Sequence, residues 1–262
     1  MRSSWWHPAL AVVLVAAGAV TACETVPYTG RSQFQFMSPQ QESEMGAQAY
    51  QQALAKTKLS TDAAASEVVT RVGSRIAAIT GHPEYKWEYR LIQDDKQVNA
   101  FALPGGKVAV YTGILPITRD ENGLAAVLGH EIGHVIARHG GERISQQMLV
   151  NVGLETTMAA LSRGNPATVQ AVASLLGAGA TVGVLLPWGR AQESEADHLG
   201  LILMAKAGYD PHAARDLWLR MAAASKGSAK PPEFLSTHPS EPTRIQQIEA
   251  WMPEAMQYYR PR

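Results

Sequence analysis

A single cysteine, Cys23, occurs in 262 residues, so no disulfide can form within the chain. Acidic and basic residues balance at 23 each with no basic stripe, which excludes a nucleic-acid surface built on charge. Internal repeats and low-complexity blocks are also absent. What the chain does have is apolar content: at 46% it is too rich for a disordered segment and sufficient for one domain with its own core.

The lone cysteine is informative through its position. Arg2 opens a short positive region, residues 9–20 form an apolar core of about signal-peptide length, and Val20-Thr21-Ala22-Cys23 is similar to a lipoprotein cleavage box. The apolar run is too short for a comfortable membrane span. Residues 1–22 are therefore expected to be a lipoprotein signal peptide, Cys23 the lipidated residue that ties the chain to a membrane, and 23–37 a linker ahead of a domain over 38–262. Glu24, in place of aspartate, suits sorting to the outer membrane of a Gram-negative envelope, on its periplasmic side.

The chemistry is concentrated in His130-Glu131-Ile132-Gly133-His134. A helix turns about 100° per residue, so residues four apart stand about 40° from one another and both imidazoles reach one metal ion. Glu131 lies beside the pair, within reach of an attacking water. Leu124, Leu128, Ile132, Val135 and Ile136 fall on the opposite side, which predicts a helix over 120–139 with one packing face and one polar face. Asp120 and Glu121 suit its positive N-terminal end, and Gly140-Gly141 its stop.

Catalytic zinc takes three protein ligands and leaves a fourth position open. A longer histidine pattern is ruled out by Ala137 and Gly140, and His139 falls about 180° from His130 on a continuous helix. The better source is Glu193-Ser194-Glu195-Ala196-Asp197, where Glu193 and Asp197 share one face and Glu195 points away. Glu193 is the expected third ligand and Asp197 the acceptor that orients a ligand histidine, His130. Small Ala196 permits close approach of the two helices. Taken alone, the acidic run would read as a solvated helix face.

Together, His130-Glu131-x-x-His134 and Glu193-x-x-x-Asp197 resemble the HtpX-like and CAAX-prenyl-endopeptidase family of zinc metallopeptidases, in its small periplasmic lipoprotein branch. Thr29-Gly30-Arg31, the stretch from Asn99 through Ala100, Phe101 and Ala102 to Gly106, Tyr111-Thr112-Gly113, and Thr237-His238-Pro239 with Arg244 resemble further landmarks, over residues 26–251. The resemblance implies one zinc ion per chain and a zincin-like fold. It also implies that His238 is a reversible fourth ligand that silences the enzyme and that Arg244 supports activity. From the residues alone, His238 could equally be an oxyanion stabiliser or a plain loop residue.

Local patterns predict a mainly α fold with a small β-sheet (α+β). Ser38 caps a helix running into Lys56, and Ser60 or Thr61 begins another through Ile79. Residues 87–93, 99–103 and 107–112 read as strands, with Pro104-Gly105-Gly106 turning between the last two. The strand carrying Asn99, Ala100, Phe101 and Ala102 is expected to border the cleft and hold substrate by edge addition, which tolerates many sequences. Residues 168–187, uncharged and long, read as a buried or lid-forming hairpin in preference to a span.

The expected function is hydrolysis of peptide bonds in misfolded or unassembled envelope proteins, with outer-membrane assembly machinery as a further partner. Two other classes are compatible with the sequence: a chaperone-like periplasmic factor with latent proteolysis, and an integral inner-membrane protease.

Overall fold

The computed structural model describes residues 23–161, 186–225, 232–238 and 243–261, and its architecture is α+β, mainly helical with two small sheets. The expected signal segment and residues 168–185 lie outside the described residues. Among the described residues, no helix is long and apolar enough to cross a membrane.

The segment expected to be a linker is packed structure instead. Strands β1 (Cys23–Thr25) and β2 (Ser32–Phe34) pair antiparallel, with Cys23 opposite Phe34. Tyr28 and Gly30, both at positive φ, shape the turn between them. Val26 is buried against Ala137 and Leu199, Gln33 and Gln35 are buried as well, and Arg31 ion-pairs with two buried glutamates. A tether would have left these groups in water.

Helix α1 (Pro39–Leu54) starts where expected, in a capping box between Ser38 and Gln41. Helix α2 (Ala63–Ala77) begins later than expected, because Asp62 rather than Ser60 or Thr61 caps it, accepting the Ala65 N–H at 2.9 Å. The main sheet holds β3 (Glu88–Ile92), β4 (Ala100–Leu103) and β5 (Lys107–Tyr111) in the order β3-β5-β4. The β4–β5 hairpin turns through Gly105 and Gly106 at positive φ, and β3 joins the far side of β5 in parallel. β4 is therefore an edge strand.

A short helix α3 (Leu115–Thr118) leads into α4 (Glu121–Ile136), capped by Asp120, and α5 (His139–Leu161) follows. The remaining helices are α6 (Leu186–Lys206), α7 (His212–Ser225), α8 (Glu233–Thr237) and α9 (Arg244–Tyr258). The single helix expected over 120–139 ends early: Arg138 takes a φ of 54°, and His139 opens the next helix.

The core gathers Val72 and Ile76 of α2, Val108 and Val110 of β5, Leu128 and Ile132 of α4, Leu201 and Leu203 of α6, and Trp218 of α7. Helices α4 and α6 meet at backbone distance. A Cβ on Gly129 would stand 2.8 Å from the Gly200 carbonyl oxygen, and one on Gly133 would stand 2.9 Å from that of Ala196. This seam of small residues brings the two distant motifs together.

Candidate metal centre

Helix α4 delivers His130, Glu131 and His134 to the seam, and α6 delivers Glu193 and Asp197; all five are buried. His238, just past α8, closes the group from a third direction. Ligand atoms of His130, His134, Glu193 and His238 all lie within 4.8 Å of one another. His130 Nε2 is 3.1 Å from His134 Nε2 and 3.1 Å from His238 Nδ1, and each of the first two nitrogens is 3.4 Å from a Glu193 oxygen.

The donor set fits a zinc ion. Asp197 Oδ1 lies 2.8 Å from His130 Nδ1, and a carboxylate only accepts, so that nitrogen carries a proton and Nε2 is the atom presented to the cluster. Three buried ring nitrogens and a carboxylate converging within 4.8 Å form a group that a cation would satisfy. Without a metal, the carboxylates favour a proton on His130: burial pulls its pKa down, but Asp197 and Glu193 outweigh it and raise it to about 9. For Glu193, burial opposes ionisation, yet the surrounding imidazoles, His134 first, hold its carboxyl far below the usual carboxylate range. A buried carboxylate and three imidazoles form a nitrogen-oxygen set that suits zinc.

Burial pushes the Glu131 carboxyl up, against the pull of His238 and His130. Its Oε2 accepts the Ala102 N–H of β4 at 3.0 Å, and its Oε1 lies 3.3 Å from His238 Nε2. Arg244, also buried, brings Nη2 to 2.7 Å and Nε to 2.6 Å from the two Asp197 oxygens, with its guanidinium 3.4 Å from the centroid of the Trp218 ring. Beside the cluster lies a cleft of about 230 Å³, lined by Phe101, Ala102, Leu103, Glu131, His134, Arg143 and His238 among others.

The edge-strand expectation is thus corrected at one end. Asn99 and Ala100 are buried and do not line the cleft: Ala100 packs in the main core, and its N–H is taken by the Asn99 side chain at 3.0 Å. Phe101, Ala102 and Leu103 border the cleft instead. Cys23 opens β1 and is not among the residues that line the cleft.

Several neighbours of the centre, His139 and Glu195 buried and Arg143 exposed, were not singled out by motif spacing. His139, set aside on the assumption of a continuous helix, places Nδ1 2.8 Å from His134 Nδ1. Glu195 does point away from the cluster, as expected, but it meets His139 at 3.0 Å rather than water. Arg143 donates from Nε to Gln192 at 2.7 Å and from Nη2 to Glu193 at 3.2 Å. No local signal in the sequence marks the break that brings His139 back: it is made at Arg138, whose positive φ ends the first helix.

Residues 63–252 match the family model described as peptidase family M48. The chain is 41% identical over 248 residues to the mitochondrial metalloendopeptidase OMA1 of Schizosaccharomyces pombe, covering 92% of this chain and 71% of that protein. It is 36% identical over 186 residues to OMA1 of Saccharomyces cerevisiae, covering 66% of this chain and 49% of the relative. With the beta-barrel assembly-enhancing protease of Yersinia pestis it shares 31% identity over 240 residues, 88% of this chain and 49% of the relative. The chain thus spans about half the length of the latter two relatives. With its donor set and these similarities, the chain belongs to peptidase family M48, and its buried centre is that of a zinc metalloendopeptidase.

Proposed function

We propose that this chain cleaves misfolded or unassembled proteins of a Gram-negative envelope, held by a lipid at Cys23 to the periplasmic side of the outer membrane. The observation that carries the reading of substrate is the edge strand: β4 runs along the cleft and turns the Ala102 N–H directly toward Glu131. An edge recognises extended backbone and tolerates many side chains, which suits unfolded chains as a class. The similarity to an enzyme named for β-barrel assembly supports an envelope role, with outer-membrane assembly machinery as a partner. The signal-like start and Cys23 support the anchor.

His130, His134 and Glu193 would hold the zinc, which when bound acidifies water and polarises a carbonyl. Glu131 accepts the proton of the attacking water and passes it to the departing amine, and the Ala102 N–H keeps its carboxylate aimed. Asp197 fixes the His130 ring, and Arg244 fixes Asp197. His238, within hydrogen-bonding distance of both His130 and Glu193, would serve as a reversible fourth ligand to the zinc and so keep the centre silent while bound.

Purified wild type should cleave an unfolded model protein and lose that activity to a chelator. Glu131→Gln should bind zinc normally while turnover falls by about 10²–10⁴. Cleavage by Glu131→Gln at the wild-type rate would sink the reading. Metabolic labelling with a fatty acid that disappears in Cys23→Ala checks the anchor separately.

A further inference from the structure

The two ligand histidines of α4 are oriented differently. His130 meets a carboxylate directly, but the outer nitrogen of His134 meets another imidazole, that of His139. Glu195 Oε2 lies 3.0 Å from His139 Nε2, and as a carboxylate it accepts there. His139 Nε2 therefore carries the proton, its Nδ1 is an acceptor, and His134 must donate from Nδ1. That tautomer leaves His134 Nε2 as a lone pair facing the metal group.

Residues far away in sequence hold this arrangement. Arg138 bends the chain so that His139 folds back onto His134. Its guanidinium is bound by Glu42 at 2.6 Å, by Glu24 and by the Met37 carbonyl at 2.7 Å, while its own carbonyl accepts from Gln35 at 3.0 Å. Glu195 is gripped in turn by the Thr29 hydroxyl and by Arg31 Nε at 2.7 Å. The other two nitrogens of Arg31 bind Glu142 at 2.7 and 2.8 Å. One arginine thus neutralises two buried carboxylates, and without it they would face each other with no cation between them.

We propose that His139 and Glu195 are positioning residues that set the ring and tautomer of His134, and that Arg31 and Thr29 make the N-terminal hairpin a working part of the zinc centre. The proposal rests on the zinc assignment and is independent of which proteins are cleaved. It is tested on the full chain by zinc affinity, measured in competition with a chromophoric chelator, and by the visible spectrum of the cobalt(II)-substituted protein, which reports ligand geometry.

His139→Leu should weaken zinc binding about 10–100-fold and shift the cobalt bands, and Arg31→Met should weaken it about tenfold. Because Arg31 acts through His139, the double variant should bind no more weakly than His139→Leu alone. His139→Gln, whose amide can accept from His134 and donate to Glu195, should recover most of the affinity. Additive losses in the double variant, or a wild-type affinity and spectrum in Arg31→Met, overturn the proposal. Should Arg31→Met not fold, Thr29→Val removes one hydroxyl contact to Glu195 and carries the same test, where an unchanged affinity is again fatal. A wild-type chain that binds no zinc would defeat the metal assignment itself.

Discussion

His130 and His134 stand one turn apart on the same helix, yet their rings are braced from opposite ends of the chain. His130 leans on Asp197 and, behind it, on Arg244 near the C-terminus; His134 leans on His139, Glu195 and then Arg31 near the N-terminus. The C-terminal brace is sealed, with the Arg244 side chain 3% exposed, whereas that of Arg31 is 30% exposed. A ring braced in one step from a sealed carboxylate is held stiffly. One braced in three steps, ending at a partly exposed arginine, depends on more contacts and is expected to be the more adjustable of the two.

The harshest way to break this comparison is to strike both braces at once. Gly200→Ala would put a Cβ 2.7 Å from the His130 backbone nitrogen and push α6 off α4. We expect a loss of stability of about 1–3 kcal/mol together with weaker zinc binding, read by denaturant titration with and without metal; a fully stable variant would show that the seam yields. Asp197→Asn strikes the C-terminal brace alone. Zinc affinity should fall about 10–100-fold, and by more than for Arg31→Met, since no intermediate ring absorbs the change; the reverse order would undo the contrast between stiff and adjustable braces.

Ala102→Pro touches neither brace. The Ala102 N–H points away from β5 and toward Glu131, so proline removes the contact to the base without breaking the ladder. Turnover should drop while zinc content stays level; parallel losses of both would mean misfolding.

The gentlest probe is pH, because the two rings titrate in opposite directions without metal. His130 is raised from 6.5 to about 9, against the pull of burial, by Asp197 and Glu193, so the stability it contributes is complete below pH 6.5 and is lost as pH rises through 9. Burial lowers His134 well below 6.5, so its contribution is complete above 6.5 and is lost as pH falls. Urea denaturation of the metal-free chain should therefore show stability falling between pH 6.5 and 9, and saturating zinc should flatten that slope because the proton's place is taken. An identical slope with zinc would contradict the arrangement of His130.

Much of the centre was legible before any coordinates. His130, Glu131 and His134 share a helix face by simple rotation, Glu193 and Asp197 do the same on a second helix, and small Ala196 marks where the helices touch. Ser38 as a helix cap, and Pro104-Gly105-Gly106 as a turn, were equally readable because caps and turns depend on neighbouring residues. Spacing failed wherever a distant residue set the backbone. The helix period assumes a continuous helix, and it was broken at Arg138 by charges from Glu24 and Glu42. The hairpin over 23–34 looked like a tether because its short strands alternate weakly, and the contacts that hold it down are all with distant segments: Val26 at the α4–α6 junction, Arg31 between two glutamates, Thr29 on Glu195 and Glu24 on Arg138.

What the sequence determined by itself is the kind of chemistry: two helical motifs whose periodicity aims two imidazoles and a carboxylate at one point, with a base beside them. The tertiary structure alone decided how those ligands are held, that β3 joins β5 in parallel, and that Asn99 and Ala100 are sealed in while Phe101 and Ala102 face the cleft. The physical reason is range. Helix rotation and capping act over a few residues, whereas a buried ion pair such as Arg31 with Glu195 forms only after folding has brought together segments 164 residues apart.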